Sequence, residues 1–172
     1  MLMVSSVNGK ITKGDDPNIY SWTSPEDKKL FFSMIKKHYL IVMGSKTYEA
    51  VKDNIRLEKN KLRIILTRNV QNYLKEAVSE RLEFSDESPK TLIKRLEDKG
   101  YRTLLLVGGG QVNTFFLKES LVNEIHLTIE PKIFGEGKGL IGEELLDIPL
   151  KLISVKKLNN QGTLHLKYKV QK

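Results

Sequence analysis

The feature that most constrains this chain is the run Leu104-Leu105-Leu106-Val107-Gly108-Gly109-Gly110-Gln111-Val112. An apolar stretch of strand length empties into three glycines, and a helical pattern begins at once. A buried strand that turns directly into a helix is the building step of an open α/β sheet, whose ligands sit outside the carboxyl ends of its parallel strands. Glycine lets backbone approach a ligand closely, and a helix N-terminus offers free N–H groups to a phosphate. The loop is not G-x-G-x-x-G, because residue 113 is Asn, and no G-K-[ST] follows. A plain strand-to-helix turn is the competing reading.

The rest of the chain repeats this alternation. Strands are expected over Met1–Val7, Leu40–Met43, Leu62–Leu66, Thr103–Val107 and Glu124–Glu130. Helices are expected over Ser24–Tyr39, near Lys46–Lys52, from Ser88-Pro89 to Gly100, and over Gln111–Lys118. Leu150–Leu158 and Thr163–Val170 read as a hairpin across Asn159-Asn160-Gln161-Gly162, with the alternation of a half-exposed ladder. The expected fold is therefore α/β in three layers, a mainly parallel central sheet with helices on both faces and an antiparallel C-terminal hairpin. Residues 69–87 and 131–149 give no clear pattern. The 172 residues, 40% hydrophobic and 29% charged, suit one globular domain over 1–172.

Charge and cysteine content bound the function. The net charge of +8 is concentrated in residues 151–172, which hold six Lys and no acid. The other 150 residues are nearly balanced, and only six of the 29 bases are Arg, the residue that phosphate forks and base readout favour. A basic nucleic-acid-binding domain is thus a minor rival. No Cys is present and the three His are far apart in sequence, so no metal site is expected. The absence of a signal-peptide pattern at the start and of any span-length apolar run leads to the expectation of a cytoplasmic protein.

Three further segments could carry chemistry. In Trp22-Thr23-Ser24-Pro25-Glu26-Asp27, Ser24 suits an N-cap and Asp27 the capping-box position, where an acid usually serves the helix. Phe31 lies one turn on and shares the face of Asp27, and a carboxylate beside an aromatic wall can hold a flat nitrogen heterocycle through paired N–H donors. Val42-Met43-Gly44-Ser45-Lys46-Thr47-Tyr48-Glu49 is again strand, glycine and helix start, and Thr67-Arg68 follows a third strand. Three strand ends bearing glycine, hydroxyl and basic groups could together hold a long phosphorylated ligand such as a dinucleotide. The second glycine cluster, Gly135-Glu136-Gly137-Lys138-Gly139, reads as a mobile loop.

These residues resemble the dihydrofolate reductase superfamily, which includes the reductase domain of riboflavin biosynthesis, over nearly the whole chain. Trp22-x-x-Pro25-x-Asp27 with Phe31 is similar to the substrate-side helix of dihydrofolate reductases. Met43-Gly44-x-x-Thr47-Tyr48-Glu49, Leu66-Thr67-Arg68 and Val107-Gly108-Gly109-Gly110-x-Val112 resemble their M-G-x-x-T-W-E, L-[ST]-R and I-G-G-G-x-[VI]. Ser6-Val7-Asn8-Gly9-Lys10-Ile11 and the stretch from Phe116 to Lys138 look instead like the riboflavin enzymes.

The resemblance implies NADPH as hydride donor. It implies a cofactor site made by Ile11, Gly44, Lys46, Thr47, Thr67, Arg68, Gly108, Gly109, Gly110, Gln111 and Val112, with Lys46 and Arg68 meeting the 2′-phosphate. It gives Asp27 the anchoring and proton-delivering role, with Trp22, Phe31, Val107 and Thr128 lining the ring pocket. The arginine that binds a folate glutamate tail is replaced by Lys61 or displaced to Arg63, and the riboflavin enzymes' glutamate before the glycines is Val107. Dihydrofolate is the leading expected substrate and a riboflavin-pathway ribosylaminopyrimidine phosphate the alternative. A catalytically silent nucleotide binder is a third reading. The protein is expected as a monomer or homodimer.

Overall fold

A computed structural model describes residues 1–171. Four strands, β1 (Leu2–Ser6), β2 (Leu40–Gly44), β3 (Leu62–Leu66) and β4 (Leu82–Ser85), precede the short β5 (Leu105–Leu106). They are followed by β6 (Glu124–Glu130), β7 (Leu150–Lys157) and β8 (Leu164–Val170). The helices are α1 (Pro25–Lys37), α2 (Ser45–Val51), α3 (Pro89–Asp98) and α4 (Gly110–Lys118).

The strands form two four-stranded sheets, one in the order β4-β3-β2-β5 and entirely parallel, the other β1-β6-β8-β7. In the second, β1 and β6 are parallel, while β8 runs antiparallel to both β6 and β7. The expected parallel sheet, flanking helices and antiparallel hairpin are all present, divided between two sheets.

The alternation of β2 explains the layers. Leu40 and Val42 pack with Leu92 and Leu96 of α3 and Phe116 of α4. Ile41 and Met43 point the other way, into a cluster with Tyr48 of α2 and Phe31, Met34 and Ile35 of α1. A strand buried on both faces must be apolar throughout, and β2 is fully buried along its length.

Some elements differ from expectation. β5 has two residues instead of five: Gly108, at φ +96°, turns the chain away beyond its end, and Thr103 and Leu104 make no ladder pair with β2. Ladder contacts nevertheless continue past it: the Val107 N–H donates to the Val42 carbonyl at 3.0 Å. β4 was not foreseen. β7 is exposed on both faces rather than half-exposed, since none of its residues joins either core cluster, and its register shifts between Leu152 and Ser154. The loop 135–139, read as mobile, is laced to residues 9–14. Ile11 N–H donates to the Lys138 carbonyl at 2.8 Å and Gly14 N–H to that of Glu136 at 3.1 Å.

Candidate active site

Both sheets contribute to one cleft of about 1110 Å³ at the carboxyl ends of β2, β3 and β5. One wall is made of two helix starts. α2 begins after Gly44 and α4 after Gly109, and neither glycine can supply a side-chain cap, so first-turn N–H groups remain unclaimed by side chains. Lys46, Thr47, Thr67 and Arg68 stand beside them, with Gly110, Gln111 and Val112. This donor set, unclaimed amides, hydroxyls and two exposed cations, fits the phosphates of a dinucleotide.

The glycines are close-fitting. A Cβ on Gly44 would lie 2.9 Å from Val112 Cγ2, and one on Gly110 2.7 Å from the Gly139 carbonyl oxygen. On Gly109 it would meet only Thr47 Oγ1, at 3.2 Å. The Gly108–Gly109 peptide is cis.

At the other end of the cleft stands Asp27, 7% exposed. Ser24 caps α1, its Oγ accepting from the Asp27 N–H at 3.2 Å. In a capping box the acid at Asp27 would return the favour to the Ser24 N–H. Here Glu130 of β6 takes that donor at 2.7 Å and also accepts from the Thr163 hydroxyl at 2.8 Å. The Asp27 carboxyl is thereby released from helix capping. Burial raises its pKa from 3.8 to about 6; the neighbouring Thr128 hydroxyl and Lys28 oppose the rise, while Glu130 adds to it. A carboxyl with that pKa is about one-tenth protonated at pH 7, far more than an ordinary aspartic acid, which suits a proton donor.

The structure brings Asp27, Phe31, Val107, Ile11, Gly44, Lys46, Thr47, Thr67, Arg68, Gly109, Gly110, Gln111 and Val112 to the cleft wall. Three expected residues stand outside the lining. Gly108 lies behind it, where its carbonyl accepts from the Gly44 N–H at 2.8 Å. Thr128 is fully buried beneath Asp27. Trp22 is a correction: adjacency to Asp27 suggested a shared pocket, but a 3-10 turn at Ile19–Ser21 swings its ring against Phe134, edge to face at 5.2 Å.

Thr23 was missed, and it lines the cleft with a buried hydroxyl that has no partner among the described residues. Lys10 and Lys138, also missed, put cations on the rim. Conversely, Lys61 and Arg63 are withdrawn. Lys61 is 2% exposed and donates to the Ile35 carbonyl at 2.7 Å, Arg63 is 5% exposed, and neither reaches the cleft.

A wall of two helix starts and exposed cations faces a buried carboxyl across one cleft of an α/β domain. The chain belongs to the RibD C-terminal domain family, whose pattern it matches over residues 1–164. Among solved structures it is similar to a Shewanella sp. PV-4 protein assigned to riboflavin biosynthesis, with a TM-score of 0.79, 21% identity, and 99% and 97% of the two chains covered. It is equally similar to a pyrimidine reductase-like protein of Corynebacterium diphtheriae, with a TM-score of 0.79, 16% identity, and 99% and 90% covered. The Thermotoga maritima diaminohydroxyphosphoribosylaminopyrimidine deaminase/5-amino-6-(5-phosphoribosylamino)uracil reductase gives 0.75 and 20%, and the present chain spans 55% of it. These likenesses show the fold. The uncharacterized protein YwjB of Bacillus subtilis is 25% identical over 127 residues, 73% of this chain and 71% of that one. The family match favours the riboflavin-pathway alternative over dihydrofolate, the substrate expected first from the sequence.

Proposed function

We propose that residues 1–172, acting as one domain, form an NADPH-dependent reductase of a phosphorylated ribosylaminopyrimidine, the compound class named for the Thermotoga relative. The observation that carries this reading is Asp27: a buried carboxyl, released from helix capping by Glu130, facing a phosphate-binding wall across one cleft. Lys46 and Arg68 meet the 2′-phosphate, while Thr47 and the first-turn amides of α4 take the diphosphate. NADPH, when bound, supplies the hydride. Phe31 and Val107 wall the ring, and the free Thr23 hydroxyl offers it a hydrogen bond. In the ring-opened imine form of the ribosylamine, Asp27 holds its proton toward the nitrogen of the C1′=N bond, and protonation there makes C1′ a better hydride acceptor. Lys10 and Lys138 give a substrate phosphate its counter-charge.

Dihydrofolate is the second reading, supported by Asp27 and by Val107 standing where riboflavin enzymes carry glutamate. Against it, the two cations nearest in sequence to the tail-binding arginine are buried elsewhere. The test follows loss of reduced-nicotinamide absorbance with 5-amino-6-(5-phosphoribosylamino)uracil and, separately, with dihydrofolate. Turnover of the pyrimidine is expected; turnover of dihydrofolate alone would overturn the assignment.

A further inference from the structure

We infer that Glu130 is a positioning residue of the reductase site: clasped between the start of α1 and the turn of the C-terminal hairpin, it keeps the Asp27 carboxyl turned from the helix to the cleft. The inference rests on the reductase reading above and deepens it.

Every link of the clasp is a hydrogen bond. The Ser24 N–H donates to Glu130 Oε1 at 2.7 Å, and the Thr163 hydroxyl donates to Oε2 at 2.8 Å. Asn159 Nδ2 donates to Thr163 Oγ1 at 2.9 Å and to Glu26 Oε2 at 3.0 Å, while its Oδ1 accepts from the Thr163 N–H at 3.0 Å. The hairpin turn is thus tied twice to the first turn of α1, at the surface through Glu26 and in the interior through Glu130. The strands set this up: the β6–β8 ladder ends at Ile129 with Leu164, so Glu130 and Thr163 come next and meet. Ser24 closes the chain of contacts, because its Oγ accepts from the Asp27 N–H at 3.2 Å.

A buried carboxyl that caps a helix is ordinarily a structural tie. Here α1 has no need of one from outside, since Asp27 already stands at the capping-box position with a carboxyl of its own. Glu130 is 2% exposed, and both its oxygens accept, as those of a carboxylate do. Among the described residues no cation forms an ion pair with Glu130 or with Asp27. Burying two acids side by side without a cation is costly, and a tie alone is made more cheaply by Asp27.

What the second acid changes is Asp27. With the Ser24 N–H taken, the Asp27 oxygens are left for a ligand in the cleft that they line. The neighbouring negative charge also favours the protonated form. Burial is the main cause of the raised pKa of Asp27, about 6, and Glu130 of β6 adds to it, against the Thr128 hydroxyl and Lys28 of α1.

Two substitutions separate these effects. Glu130→Gln keeps an oxygen for the Ser24 N–H but removes the charge, whereas Glu130→Ala frees that N–H for Asp27 to recapture. ¹³C spectra of the Asp27 carboxyl are recorded against pH on the ligand-free proteins. The titration midpoint should fall by about half a unit or more in Glu130→Gln, and further in Glu130→Ala, where a hydrogen bond favours the charged form. A midpoint that stays or rises in either variant overturns the inference. Turnover of the pyrimidine is followed against pH in parallel. The pH–rate midpoint should move down with the spectroscopic one, giving a kcat deficit of about threefold or more at pH 7–8 that closes towards pH 5, with KM for NADPH unchanged. A deficit equal at every pH marks a structural tie and overturns the positioning role, as does wild-type turnover in both variants. If the wild-type protein turns over neither substrate, the reductase reading fails, while the relation between Glu130 and Asp27 is still decided by the spectra.

Discussion

The Gly44 N–H donates to the Gly108 carbonyl at 2.8 Å, joining the ends of β2 and β5 beyond the last regular ladder pair. This bond sets the two helix starts side by side, since α2 follows Gly44 and α4 follows Gly109. It also fixes Val112 against Gly44, so closely that a Cβ there would have no room. The triple glycine therefore has a division of labour: Gly108 clasps β2, Gly110 packs on the Gly139 backbone, and Gly109 faces the cleft.

Gly109→Ala and Gly110→Ala should consequently differ. On Gly109 the methyl group needs only a small yield from the Thr47 hydroxyl, so the melting temperature stays near wild type. The methyl then occupies space at the start of α4, and NADPH affinity should drop at least about tenfold. On Gly110 it meets backbone, and overpacking of about 1–3 kcal/mol should lower the melting temperature by roughly 2–12 °C. Equal cofactor affinity in wild type and Gly109→Ala, by fluorescence titration, would reduce the glycine run to a turn.

Cofactor choice is a separate matter. Lys46 and Arg68 are exposed cations on the same wall. Replacing both by Ala should raise the Kd for NADPH about tenfold or more and leave NADH nearly unchanged, because only the phosphorylated cofactor carries the charge they meet. Calorimetric titration with each cofactor checks this, and equal losses would remove the pair from the 2′-phosphate site.

How much of this was legible in sequence depended on the range of the interaction. The capping of α1 by Ser24 and the apolar faces of β2 and β3 are local or periodic and were read directly. The release of Asp27 was not, because Glu130 lies 106 residues from Ser24 and no local pattern links them. β4 escaped notice because it has four residues, one of them Glu83, which pairs with Arg95 outside the core. Trp22 was misplaced for the opposite reason: proximity along the chain was taken for proximity in space.

Substrate choice can be probed through the missing tail cation. With Lys61 held by the Ile35 carbonyl and Arg63 buried, neither cation at the start of β3 reaches the cleft to bind a glutamate tail. Any turnover of dihydrofolate should therefore be matched, within about twofold in kcat/KM, by the same pterin without its glutamyl tail. A loss of tenfold or more without the tail would show that another cation serves it.

Asp27→Asn separates structure from chemistry. The Ser24 N–H is already satisfied by Glu130, so the amide variant forfeits no helix cap. The sign of the pH effect follows from the raised pKa. The folded protein binds the Asp27 proton more tightly than the unfolded chain, so the contribution of Asp27 to stability is full below about pH 3.8 and is lost as pH rises through about 6. Two pKa units correspond to about 3 kcal/mol as an upper bound at neutral pH. An uncharged amide carries no such burden. The variant should melt at or above the wild-type temperature at pH 7–8, and the difference between the two should vanish towards pH 4. Turnover should nonetheless fall by about two orders of magnitude or more at neutral pH, with NADPH affinity unchanged, because the proton donor is gone. That deficit should narrow in acid, where substrate protonated from solvent partly replaces the missing acid. Parallel melts and pH–rate profiles decide the matter: a variant less stable than wild type yet normally active would make Asp27 a structural residue and remove it from catalysis.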